Sequence, residues 1–191
     1  QAMSSVVREW ASQQDLHPNK TCLIITHTNA KVEAFNQSIH DYRHQEGQLG
    51  DTEYECLTQR GKTWSRIQVS VGDRLQLTRT DKDLGLWNGM MGTLVEVKEQ
   101  GDSCTFMLQQ DNGQKVSFNP ESFHGFTLGY ASTVYKAQGK TLPRVLVYHD
   151  GQGSQSLSYV ELTRHQQDVQ LFVSREKTPD WNTLVHQMGI Q

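Results

Sequence analysis

Apolar positions change their period several times along the chain, and each change marks an element. Val6, Val7 and Trp10 fall on one face of a helix over 4–12, with Ser5 placed to cap it. From Thr21 to Thr26 the chain reads Thr-Cys-Leu-Ile-Ile-Thr, a short run of the kind that forms a strand buried on both faces. The period then becomes helical. Val32, Phe35, Ile39 and Tyr42 follow Asn29, which stands where a cap is expected, and Gly47 is placed to end the helix.

Residues 47–70 are polar and weakly periodic. Gln68 to Val71 and Arg74 to Thr78 then alternate like half-buried strands, and Asn88-Gly89 is a turn signal. Gly92 to Val97 reads as a strand. Thr105 to Leu108 and Lys115 to Phe118 flank the turn Asp111-Asn112-Gly113. Four or five short strands over about 72–122 predict a small barrel. Past Gly125 the alternation of strand and helix returns: strand-like 127–130, a short helix over 131–138, a buried strand at Val145 to Tyr148, a helix through His165 and a strand at Val169 to Val173. Thr178-Pro179 opens a terminal helix whose apolar side is Trp181, Leu184, Val185 and Met188. The expected fold class is α/β: a layer begun at 21–46 and resumed at 125–175, with a β-rich insert between.

Composition narrows the function classes. The 191 residues carry a net charge of −3, with a pI near 6.2, which is not the footprint of a protein that holds duplex DNA by charge alone. No apolar run approaches the roughly 20 residues that span a bilayer, and no signal peptide is visible. Cys22, Cys56 and Cys104 are odd in number and widely spaced, which argues against a disulfide framework and suits a reducing cytoplasm.

The richest chemistry lies in Thr133-Val134-Tyr135-Lys136-Ala137-Gln138-Gly139 and, about twenty residues on, Tyr159-Val160-Glu161-Leu162-Thr163-Arg164. Gln-Gly offers a side-chain amide and a backbone amide at a tight turn. Thr-Arg offers a hydroxyl and a guanidinium suited to bidentate contact with phosphate oxygens. Alternatives stay open: Gln138-Gly139 as a helix-ending turn, Arg164 paired with a surface carboxylate, Lys136 as a plain exposed charge. Two matches to the end of a phosphate-binding loop, Gly61-Lys62-Thr63 and Gly139-Lys140-Thr141, lack the upstream glycine, because Cys56 and Val134 stand there. His40 and His44, one helical turn apart, read as a solvated helix face rather than zinc ligands, and no metal site is expected.

Tyr130 to Gly139 resembles motif V of RecD-like superfamily-one DNA helicases. Leu157 to Arg164, followed by Asp168 to Phe172, resembles their motif VI. Thr26-His27-Thr28-Asn29 through Ile39 looks like the strand-to-helix element that opens their second motor domain. Val71-Gly72-Asp73-Arg74 with Leu86 to Gly92 resembles the start of their SH3-like insert. The wording is especially similar to conjugative relaxase-helicases of the TraA and TraI type.

The resemblance implies a RecA-like domain formed by 1–71 and 123–191, with an SH3-like β-barrel inserted at 72–122. It implies one half of an ATP-dependent 5′–3′ helicase, with ATP and Mg2+ held mainly by a first motor domain on the same polypeptide. Arg164 would be the arginine finger, and Gln138 and Gly139 would read the γ-phosphate. Thr26, Thr28, Asn29, Thr133 and Lys136 would face single-stranded DNA, and Trp87 would help enclose it. Rivals stand beside these. Asn29, Thr28 and Thr26 can cap the helix, Thr26 can equally be a buried strand hydroxyl, and Trp87 can be core. The sequence departs from the pattern where Tyr135 replaces histidine and Glu161 replaces alanine. The implied partners are single-stranded DNA, the first motor domain, a nicking domain and secretion-channel proteins. Alone, the chain is expected not to hydrolyse ATP. The alternative is a degenerate helicase domain that binds DNA or a transfer partner without hydrolysis.

Overall fold

A computed structural model describes residues 2–133, 144–150, 168–174 and 177–188. In chain order the elements begin with α1 (Ala2–Leu16), β1 (Cys22–Thr26), α2 (Asn29–Gln45), β2 (Tyr54–Arg60), β3 (Thr63–Val69) and β4 (Arg74–Leu77). Next come β5 (Met91–Gln100), β6 (Ser103–Gln110), β7 (Lys115–Phe118), β8 (Phe126–Leu128) and β9 (Ala131–Thr133). The last are β10 (Arg144–His149), β11 (Val169–Val173) and α3 (Trp181–Met188). The chain divides into two units, residues 1–35 with 130–191 and residues 36–129.

The first unit is α/β. Its four strands run parallel in the order β11-β10-β1-β9. The central strand β1 is buried at every position, as a strand covered on both faces must be. Helix α1 extends beyond its expected span at both ends. It packs through Val6 and Trp10, whose indole Nε1 donates to the Cys22 carbonyl and whose ring meets Tyr130 edge-on at 5.3 Å. Phe35 meets Tyr148 in the same manner. At the other end of the unit α3 starts at Trp181, with Asp180 accepting the Thr183 amide at 2.7 Å. The cap is therefore Asp180 rather than an opening at Pro179. Trp181, expected on the packed side, is 72% exposed, and Leu184 is the buried anchor.

The second unit is antiparallel. A five-stranded sheet runs β7-β6-β5-β4-β8, and β2 and β3 form a separate hairpin. Aromatic rings fill the core, with Phe118 5.1 Å from Phe126 and 5.8 Å from Phe106. The register of β5 against β6 shifts between Leu94 and Glu96, a bulge that bends the longest strand. Gly92 sits where an added Cβ would come 2.4 Å from the Gln109 carbonyl oxygen, so only glycine lets β5 and β6 approach.

Three expectations are corrected. The polar stretch after Gly47 holds the β2–β3 hairpin, which carries Leu57 and Trp64 on its outward face and Thr58 and Ser65 on its inward face and so lacks the alternation that would have marked it. The strand near 127–130 joins the antiparallel sheet through β4, not the parallel one. Residues 131–133 form β9 rather than the start of a helix. The helix expected through His165 lies outside the described residues.

Candidate functional site

In an open parallel sheet, ligands gather at the carboxyl ends of strands where successive connections leave in opposite directions. Here the connection from β1 leads to β9 on one side, and that from β10 leads to β11 on the other. The carboxyl ends of β1, β9 and β10 thus define the candidate site.

Register brings two of the predicted residues together. Thr26 and Thr133, far apart in sequence, are Cα partners at the ends of β1 and β9. Thr133 is half-buried at a strand end, a correction to its expected helical setting. Thr26 is only 1% exposed. Its Oγ1, like the Oγ of Ser132, has no hydrogen-bond partner among the described residues. Buried hydroxyls without partners are costly; Thr26 shares a face of the sheet with Thr133, and Ser132, one residue earlier on β9, lies on the opposite face.

Thr28 is half-buried and its Oγ1 accepts the Lys31 amide at 3.3 Å, the geometry of an N-cap. The capping expected of Asn29 therefore falls to Thr28. Asn29 begins α2 and its side chain is exposed. The amino end of α2, with its partial positive charge, lies just beyond β1. Gln138, Gly139, Lys136 and Arg164 lie outside the described residues.

One pair of site neighbours escaped the sequence reading. His149 and Asp150, at the end of β10, are 0% and 4% exposed. His149 Nε2 lies 3.0 Å from Gln187 Oε1, which also accepts the Thr178 hydroxyl at 2.6 Å, while Gln187 Nε2 donates to the Lys177 carbonyl. The available signal was two polar residues directly after the apolar run Val145 to Tyr148, at a strand's carboxyl end.

In the antiparallel unit Trp87 is 51% exposed, and the buried residue of that loop is its neighbour Leu86. The core reading of Trp87 is thereby removed. Gly61 and Lys62 form the two-residue turn between β2 and β3, with Gly61 at φ +58°. A hairpin turn presents no helix amino terminus, so this phosphate-loop match is void.

His40, expected on a solvated face, is instead fully buried. Its Nδ1 lies 2.7 Å from Asp73 Oδ2 and its Nε2 2.9 Å from Glu53 Oε1. Ionised carboxylates only accept, so both ring nitrogens donate and the ring is an imidazolium. Burial pushes its pKa down, but the hydrogen bonds and charges of Asp73 and Glu53 outweigh that and raise it to about 9. Among the described residues no group of three or more His, Cys, Asp or Glu is arranged to hold a metal. No described helix is long and apolar enough to cross a membrane.

No protein-family model matches the chain. It is 27% identical over 172 residues to the conjugal transfer protein TraA of Rhizobium radiobacter, covering 90% of this chain and 15% of that protein. TraA of Agrobacterium fabrum is 28% identical over the same length and shares. The multifunctional conjugation protein TraI of Escherichia coli is 26% identical over 117 residues, 58% of this chain and 6% of TraI. The chain thus spans about 15% of the length of the TraA relatives. Among solved structures, Pif1 helicase from Bacteroides in complex with ADP-AlF3 and single-stranded DNA superposes with a TM-score of 0.56 at 16% identity, covering 96% of this chain and 52% of that one. A structure of two coordinating Pif1 helicases at forked DNA gives 0.52 at 18% identity, covering 96% and 50%. This chain is homologous to the TraA conjugal transfer proteins over 90% of its length and shares its fold with half of a Pif1 helicase.

Proposed function

We propose that the chain is the second motor domain of an ATP-dependent 5′–3′ DNA helicase acting in conjugative DNA transfer. The observation that carries this reading is the Thr26–Thr133 pairing, which sets the end of the strand-to-helix element beside Thr133, the first residue of the second motif, at one strand-end edge. The relationship to TraA over 90% of the chain supports it. In this reading the parallel unit, 1–35 with 130–191, is the body of the RecA-like domain, a narrower span than 1–71 and 123–191 because β2, β3 and β8 belong to the antiparallel unit. The antiparallel strands over 72–122, with β8 paired to β4, are an SH3-like insert, and the bulge in β5 supports that reading.

The orphaned hydroxyl of Thr26, on the same face as Thr133, fits a site completed by a polar ligand. Bound ATP with Mg2+, held mainly by the first motor domain, would supply the hydrolysable phosphoanhydride. Arg164 would set its guanidinium against the γ-phosphate, and Gln138 with Gly139 would contact the same group. Burial ranks the DNA contacts. Thr28 and Asn29 stand foremost, Thr26 lies behind them as support, Thr133 and Lys136 contribute from the second motif, and Trp87 stands exposed on the insert.

Mixing this chain with the first motor domain and single-stranded DNA should restore ATP turnover that neither part shows alone. Arg164→Ala should lower that turnover by about 10³-fold, the usual scale for an arginine finger. Unchanged turnover in that variant refutes the finger. No turnover from the intact pair favours a domain that binds DNA without hydrolysis.

A further inference from the structure

We propose that the tip of the β2–β3 hairpin is a second contact for single-stranded nucleic acid, with Trp64 as a stacking platform and Lys62 at the turn as a phosphate contact; this deepens the function proposed above and rests on it. Trp64 is 49% exposed although it belongs to a regular strand. It pairs with Gln59 across the hairpin, on the outward face that also carries Leu57, 40% exposed. The inward face holds the buried Cys56, Thr58 and Val69. The indole is therefore not a core residue displaced by chance.

Its orientation is fixed from one side. Trp64 meets the His124 ring at 5.2 Å and 66°, an edge contact. His124 is itself held, with Nδ1 donating to the Leu57 carbonyl at 2.8 Å and its own carbonyl accepting the Gln59 amide at 2.8 Å. A pre-oriented aromatic ring with open area loses little freedom when a base stacks on it.

Charge selects the occupant. Residues 59–66 contain Arg60, Lys62 and Arg66 and no acidic residue, whereas the base of the hairpin carries Glu53 and Glu55. Glu55 engages Arg66 at 2.7 Å on the face that carries Trp64, Arg60 lies on the opposite face of the hairpin, and Lys62 is the exposed cation at the turn. Thr78 ties the neighbouring strand to the hairpin by donating its hydroxyl to the Gln59 carbonyl, whereas the guanidinium of Arg79 stacks over the Phe123 ring at 4.9 Å and is not one of the tip cations. An exposed aromatic ring next to a turn that carries Lys62 and no acidic residue over 59–66, on a chain whose net charge is −3, is a local nucleic-acid footprint that the total charge conceals.

The test is fluorescence anisotropy of a labelled oligothymidine titrated with the full 191-residue chain and its variants. Trp64→Ala should weaken binding about tenfold, Trp64→Phe should stay within about threefold of the parent, and Lys62→Ala should lower the salt slope by about one. Circular dichroism confirms that each variant is folded. Parent-level affinity in Trp64→Ala overturns the proposal and leaves the motor reading standing. Absence of binding by the parent chain overturns both.

Discussion

His40 and Asp73 are hydrogen-bonded at 2.7 Å with neither side chain exposed, so the second half of α2 is tied to the loop before β4 by a buried ion pair. Asp73 Oδ2 also accepts the Ser70 amide at 2.8 Å, which fixes the loop. Removing one partner of a buried pair strands the other charge. Asp73→Ala should destabilise the chain by about 3–5 kcal/mol in urea unfolding.

The same pair sets a pH dependence. The folded pKa of His40, about 9, lies above its ordinary value of 6.5. The folded state therefore holds a proton that the unfolded state releases, and stability falls as pH rises. The contribution should be complete below about 6.5 and lost through about 9. The difference between parent and His40→Gln in unfolding free energy should shrink across that window, and a flat difference contradicts the assignment.

Leu86 and Trp87 separate stability from binding. Leu86→Ala should cost about 2–5 kcal/mol, the range for truncating a buried leucine. Trp87→Ala, at an exposed position, should change stability by no more than about 0.5 kcal/mol and should lower affinity for single-stranded DNA. Thermal unfolding and anisotropy measured on both variants read out the two effects.

Gly92 and Gly101 should respond differently to alanine. At Gly92 the new Cβ collides with the Gln109 backbone, so Gly92→Ala should cost well over ~2 kcal/mol. At Gly101, φ is +60° with open space around it, so Gly101→Ala should cost only about 1 kcal/mol of backbone strain. Equal effects in denaturant unfolding would show that β5 and β6 are less closely apposed.

The three thiols should be sluggish nucleophiles. Burial pushes Cys22 and Cys56 up to about 12 and raises Cys104 as well. Native chain at pH 8 should react slowly with a thiol reagent, with half-buried Cys104 first, and denatured chain should react at all three.

Elements that announce themselves by period were legible in the residues. The run from Cys22 to Thr26 is β1 because a strand covered on both faces admits few polar side chains, and α2 follows from Val32, Phe35 and Ile39, all buried. The β2–β3 hairpin was not legible, because its half-buried strands mix polar and apolar residues on both faces. The cap of α2 could be placed only to within one residue, since Thr28 and Asn29 are both good caps and the backbone angle at the helix entry chooses between them.

What the sequence by itself determined is the set of elements and the local chemistry: which segments are apolar enough to be buried, where turns fall, and which motifs carry hydroxyls, amides and guanidinium. What only the tertiary structure decided is which distant groups meet. It placed Thr26 beside Thr133, buried His40 between two carboxylates, and left Trp64 and Trp87 outside while taking in Leu86. Strand register and burial are set by long-range packing, and no local window of residues encodes them.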